Sequence, residues 1–134
     1  ALPVQAVIPE PKATVLLVDN DPEVLKAMLE LLEQWGCAVL PARTIAQALR
    51  LGRTQKPDIL LLDYHLDRHD TGLMVRDQLA PVLGDLPCII LTADRSEEVR
   101  NEILNSGCQV LHKPIRPLAL KSAMASMLPK RHAV

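Results

Sequence analysis

One stretch constrains this chain more than any other: Pro57-Asp58-Ile59-Leu60-Leu61-Leu62-Asp63. Four consecutive Ile/Leu residues belong to an element with no solvent face. Pro57 before them and the short length favour a strand of a parallel sheet over a buried helix. The run ends on one carboxylate, Asp63, and opens into the charged loop Tyr64-His65-Leu66-Asp67-Arg68-His69-Asp70. Open α/β sheets carry their chemistry at the carboxyl ends of their strands. Asp63 is therefore the candidate reacting group.

The same grammar recurs along the chain. Thr14–Val18 is a short apolar run that stops at Asp19-Asn20-Asp21. Asp21-Pro22-Glu23 is a helix start, with Asp as cap, Pro in the first turn and an acid behind it. Val24, Leu25, Met28, Leu31, Leu32 and Trp35 recur at helical spacing up to Gly36. A second strand is expected over Cys37–Leu40, and Thr44-Ile45-Ala46-Gln47 opens a helix ending near Gly52 or Arg53. The third strand ends at Asp63, and a third helix spans Gly72 to about Leu83 with Pro81 in its last turn. A fourth strand covers Cys88–Leu91, followed by Thr92-Ala93-Asp94 and a helix from Ser96 to Ser106. A fifth strand covers Gln109–His112 and runs into Lys113-Pro114; the last helix covers about Leu118–Leu128. Five strands alternating with five helices require parallel strands with helices on both faces. Residues 1–12 are read as a Pro-rich linker, 13–128 as the domain and 129–134 as a tail.

Composition narrows the function classes. A length of 134 residues supports one domain with a real core, and a net charge of −1 leaves no electrostatic footprint for nucleic acid or an anionic membrane. One Trp, one Tyr and no Phe argue against stacking platforms for single strands. No apolar run approaches the ~20 residues that span a bilayer, and the expected location is the cytoplasm. Cys37, Cys88 and Cys108 form no CxxC pair and are read as buried small residues rather than zinc ligands. His69, His112 and His132 are read as surface residues, and Trp35 and the methionines as core or helix surface.

In a parallel sheet all strands present their carboxyl ends at one edge. That edge collects Asp19-Asn20-Asp21, Asp63, Thr92 and Lys113. Clustered carboxylates need a counter-cation, and hard oxygen donors with open positions suit Mg²⁺. Lys113 supplies a point charge and Thr92 a hydroxyl donor. The set fits phosphoryl transfer onto a carboxylate, with Asp63 as nucleophile. Each residue alone has a bland reading as turn, cap or solvated terminus; their convergence on one edge does not.

From about Lys12 to Leu128 the chain resembles the receiver domain of two-component response regulators. The likeness rests on Val15-Leu16-Leu17-Val18-Asp19-Asn20-Asp21-Pro22, Pro57 to Asp63, Leu91-Thr92-Ala93 and Lys113-Pro114. It implies a flavodoxin-like three-layer sandwich with a five-stranded parallel sheet of order 2-1-3-4-5 and five helices. It implies that Asp63 takes a phosphoryl group from a phosphohistidine, with Thr92 and Lys113 contacting that group and the Lys113–Pro114 bond cis. It implies Mg²⁺ held by Asp19, Asn20, Asp63 and the backbone carbonyl of His65, and a histidine kinase or histidine phosphotransfer protein as partner. Such a domain is not an enzyme in isolation; it catalyses its own phosphorylation. No DNA-binding output domain fits after Leu128, so output is expected from protein contacts, from a phosphotransfer partner or from regulation of an attached kinase, and a homodimer is left open. Asp63-Tyr64-His65-Leu66-Asp67 and Lys113-Pro114-Ile115-Arg116-Pro117 further resemble the C-terminal receiver of hybrid sensor histidine kinases.

The sequence departs from the family's pattern at four places. Asn20 stands where a second acid is usual and brings an oxygen without charge, so weaker metal binding is expected. The loop after Asp63 has Asp67 in place of the usual Pro and is one residue longer. Val110 stands where an aromatic switch residue is usual, and Ile115 replaces Phe. An alternative consistent with Asn20 and Val110 is a degenerate receiver acting as an interaction scaffold. An aspartyl-phosphate hydrolase would need a carboxylate where His65 stands. A flavin module would need a phosphate-cradling loop where Asp19-Asn20-Asp21 repels phosphate.

Overall fold

The computed structural model describes residues 8–129. Its elements run β1 (Thr14–Val18), α1 (Pro22–Gln34), β2 (Ala38–Ala42), α2 (Ile45–Gln55), β3 (Ile59–Asp63), α3 (Gly72–Leu83), β4 (Cys88–Thr92), α4 (Glu97–Asn105), β5 (Gln109–His112) and α5 (Pro117–Met127). The strands form one parallel sheet of order β2-β1-β3-β4-β5. The expected α/β sandwich is the observed fold. His132, most of the 129–134 tail and residues 1–7 of the expected linker lie outside the described residues.

The unbroken apolar runs are explained by position. β3 and β4 are buried at every residue and β1 at all but its first. Their side chains alternate between two cores, as the period of two in a strand demands. Leu16, Val18, Leu60, Leu62, Cys88 and Ile90 face α2, α3 and α4, meeting Ala48, Leu73, Val75, Leu79 and Ile103. Val15, Leu17, Ile59, Leu61, Ile89 and Leu91 face α1 and α5, meeting Met28, Leu32, Leu120 and Met124. Trp35 is buried in this second core.

Several boundaries shift, each for a physical reason. The second strand runs to Ala42 and contains Pro41, because β2 is an edge strand and needs no amide donor on its outer side. The second helix does not stop at Gly52. It continues to Gln55 and ends with Lys56 in the left-handed region at φ 49°. Gly52 serves packing instead: a Cβ there would stand 2.8 Å from Leu79 Cδ1. The first helix ends at Gln34 with Trp35 as its cap, and Gly36 takes φ +83°. The last helix starts one residue early because Pro117 occupies its first turn.

Candidate functional site

Among the described residues, the buried polar or charged side chains are Asp19, Asp63 and Thr92, at 2%, 7% and 1% exposure. Burying such groups costs free energy unless they are paired, and all three lie at the carboxyl edge of the sheet. Asp63 ends β3, Thr92 ends β4, and Asp19 follows β1 directly. Strand register brings them together, with Asp63 beside Leu91 and Thr92 beside His112.

Lys113, the residue after β5, joins the cluster from the far side. Its ammonium lies 3.1 Å from Asp63 Oδ1 and 3.3 Å from Asp19 Oδ2. The Lys113–Pro114 bond is cis. Burial and the neighbouring charge of Asp19 push the Asp63 carboxyl above its ordinary range, against the opposing pull of Lys113. Burial works against the charge on Lys113, but the Asp63 and Asp19 carboxylates outweigh it and raise its pKa.

Local hydrogen bonds fix the orientation of each group. Asp19 Oδ1 accepts from the Asp21 amide at 2.9 Å, leaving Oδ2 toward Lys113. Asp21 accepts from the Glu23 amide at 2.9 Å as the cap of α1, and that carboxylate is exposed. Thr92 Oγ1 accepts from the Asp94 amide at 3.0 Å. An oxygen that already accepts keeps its own hydrogen free to donate toward the cluster. Asp94 accepts in turn from the Ser96 amide at 2.8 Å, which holds its carboxyl below the usual range.

Asn20 is placed differently from its neighbours. It is exposed, and its side-chain amide donates to the backbone carbonyl of Leu66, tying the β1–α1 turn to the β3–α3 loop. Only its amide oxygen remains for a metal. The longer loop is closed by its own bonds: Leu66 N–H to Asp70 at 3.0 Å, Asp70 N–H to Asp67 at 2.7 Å and Gly72 N–H to Tyr64 at 3.0 Å. Arg68 takes φ 53° at the tip and accommodates the added residue. The His65 imidazole is exposed and lies 3.7 Å from the Asp94 carboxylate.

Two contacts were not legible in the sequence. Tyr64 is buried, and its hydroxyl donates to Glu102 of α4 at 2.7 Å. Asp94 orients Thr92 through its backbone; its place two residues after a Thr before a helix was the available signal. Val110, half-buried, packs into the same core as Tyr64. Asp19 and Asp63 bring two hard oxygen donors together beside Lys113; no group of three or more His, Cys, Asp or Glu side chains poised to hold a metal occurs among the described residues.

A family profile described as the response regulator receiver domain matches residues 15–125. The transcriptional regulatory protein GlrR of Escherichia coli strain K12 is 36% identical over 117 residues, 87% of this chain and 26% of that protein. Response regulator MprA of Mycobacterium ulcerans is 34% identical over 84% of this chain and 47% of its own length. The chain thus spans about a quarter of one relative and about half of the other. Among solved structures, Vibrio cholerae chemotaxis protein CheY4 superposes with a TM-score of 0.76 at 25% identity, covering 87% of this chain and 99% of that one. A response regulator from Burkholderia pseudomallei, solved with a phosphorylated aspartic acid, calcium ion and citrate, gives a TM-score of 0.75 at 26% identity, over 84% of this chain and 68% of that one. By sequence profile and by fold, this chain belongs to the receiver domain family of two-component response regulators.

Proposed function

We propose that Asp63 is the phosphoryl acceptor of this receiver, taking the group from a phosphohistidine on a histidine kinase or histidine phosphotransfer protein. One observation carries the reading: the buried polar side chains of the described residues converge on a single edge, where Lys113 pairs with two of them. In the step, the phosphorus–nitrogen bond to the donor imidazole breaks and a phosphorus–oxygen bond to an Asp63 carboxylate oxygen forms. The imidazole leaves with the electron pair and takes a proton from solvent. Lys113 stays within reach of the new phosphoryl oxygens, and the free Thr92 hydrogen donates to one of them.

Mg²⁺ suits the site, because Asp19 and Asp63 bring like charges that one lysine only partly offsets. The Asp19 and Asp63 carboxylates, the Asn20 amide oxygen and the His65 carbonyl would hold it. It would supply charge neutralisation for the incoming phosphoryl group. With one carboxylate fewer than the family's usual acidic pair, binding is expected to be weak.

An apolar groove beside Lys113 supports a protein donor. Val24, Ala27 and Met28 of α1 line one wall, and Pro114 and Ile115 the other. Nucleic acid and membrane play no part in this reading. No helix among the described residues is long and apolar enough to cross a membrane. The phosphotransfer is assigned to the cytoplasm, and a place after a hybrid kinase core is part of the same proposal; an upstream reading frame without a kinase would remove that placement.

The test uses acetyl phosphate with Mg²⁺ and intact mass. The expected result is one phosphoryl adduct on Asp63, not formed when the metal is chelated beforehand and absent in Asp63→Asn. Equal labelling of the Asn variant would overturn the assignment. Failure of the unmutated chain to label, with no response to Mg²⁺ at millimolar concentration, would point to the interaction scaffold instead.

A further inference from the structure

The opposite edge of the sheet carries a pair of thiols that phosphoryl chemistry does not use. Cys88 opens β4, and Cys108 immediately precedes β5. The two strands pair with Ile89 beside Gln109, so one step earlier Cys88 stands beside Cys108. Both side chains turn to the same face of the sheet, into the core shared with Val75, Leu79 and Ile103, and are 2% and 4% exposed. The two thiols share one packed cluster on that face. Neighbouring strands run ~4.8 Å apart, and disulfides form across Cα separations of ~4.4–6.8 Å. The generic Cα spacing of neighbouring strands thus falls within the range that a disulfide spans.

The surroundings favour reaction at one of the two. The Ser106 hydroxyl, two residues before Cys108, donates to the Ile103 carbonyl at 2.6 Å, and the Arg76 guanidinium lies close to the Gly107 turn, with Nη2 3.7 Å from where a Gly107 Cβ would stand. The neighbouring Cys88 thiol, Ser106 and the charge of Arg76 lower the Cys108 thiol, against burial. Cys37 lies in the other core, across the sheet, and burial pushes its thiol up.

We propose that Cys88 and Cys108 are a redox site, closed to an intramolecular disulfide by peroxide. The Cys108 thiolate attacks one peroxide oxygen, the oxygen–oxygen bond breaks, and hydroxide leaves and is protonated to water, giving a sulfenic acid. Cys88 then attacks the Cys108 sulfur, the sulfur–oxygen bond breaks, and a second water leaves with the Cys88 proton. Two thiols and one peroxide become one disulfide and two waters. The bond staples β4 to β5, the strands that end in Thr92 and lead into Lys113. Cytoplasmic disulfides of this kind are usually transient and redox-sensing.

The experiment treats the reduced chain with hydrogen peroxide, quenches in acid, unfolds it and alkylates the remaining thiols. Of the three cysteines, one should alkylate after oxidation and all three after dithiothreitol. The intact mass before alkylation should fall by two hydrogens, and a linked peptide should join Cys88 to Cys108. The oxidised chain should also melt at a higher temperature, an increase that reductant removes. Cys37→Ala should behave as the parent does, and Cys108→Ala should form no internal link. Three alkylated cysteines after peroxide, added oxygen in place of lost hydrogen, or links between chains would overturn the proposal.

Discussion

The ammonium of Lys113 lies 3.1 Å from a carboxylate oxygen of Asp63, and its second partner is Asp19 at 3.3 Å. One cation therefore faces two buried anions and offsets them only in part. Truncating it as Lys113→Ala leaves both carboxylates facing each other. Breaking a fully buried pair costs ~3–5 kcal/mol, but Lys113 is 27% exposed, so solvent screening should reduce the loss to ~1–3 kcal/mol. Urea unfolding should show that loss, and added Mg²⁺ should recover part of it by supplying the missing charge. A variant as stable as the parent would mean that solvent alone satisfies the two carboxylates.

The Asp63 carboxyl is pushed up by burial and by Asp19. The sign of its effect on stability follows. Between the ordinary carboxylate pKa and the raised one, the folded state holds more protons than the unfolded state, so stability falls as pH rises through that window. Above it, ionised Asp63 destabilises the fold. Asp63→Asn should therefore melt at a higher temperature than the parent at pH 7. The gap should close as the pH is lowered below about 3.9, where Asp63 is neutral in both states. A less stable Asn variant at neutral pH would show that pairing with Lys113 outweighs burial.

Tyr64 is the one tyrosine of the chain, so its ionisation can be followed by absorbance without interference. Burial, then its bond to Glu102, holds the phenol at about 12. The native titration should lie well above that of the unfolded chain, which follows the ordinary value of ~10. Because the raised proton belongs to the folded state, stability should drop as pH climbs from ~10 toward the native value. Glu102→Gln should lower the phenol's pKa, and Tyr64→Phe should cost ~1 kcal/mol, since Glu102 is exposed and water can replace the hydroxyl. An unshifted native titration would mean the hydroxyl bond to α4 does not persist in solution.

How much of this was legible beforehand depends on the range of the contact. The alternation of apolar runs with helical periodicity is local, and it yielded the order of elements and the parallel sheet. Asp63, Thr92 and Lys113 were legible because a parallel sheet necessarily brings strand ends together. The side-chain partners were less accessible. Asn20 was expected as a metal ligand by position, yet its amide nitrogen is bonded to Leu66, 46 residues away. Nothing local encodes that bond. Tyr64 meets Glu102 across 38 residues for the same reason. Gly52 carried a genuine helix-stop signal, which the need for space beside Leu79 overrode.

Two glycines should separate rigid from yielding surroundings. A Cβ on Gly72 would stand 2.5 Å from the Asp63 carbonyl oxygen and 2.8 Å from Leu62 Cβ. Neither neighbour can move unless the end of β3 moves with it, and that end carries Asp63, the proposed acceptor. Gly72→Ala should therefore cost toward the upper end of the ~1–3 kcal/mol typical of overpacking. It should also slow acetyl phosphate labelling of Asp63, because the carboxylate shifts relative to Lys113 and Thr92. A Cβ on Gly52 would meet the Leu79 methyls at 2.8 and 2.9 Å. Those are the far ends of a side chain that can turn aside, and alanine in mid-helix gains ~1 kcal/mol over glycine. Gly52→Ala should thus fall within ~1 kcal/mol of the parent and label at the parent's rate. Urea midpoints and labelling rates measured on both variants decide the matter, and equal costs at the two positions would show that β3 is free to give way beneath α3.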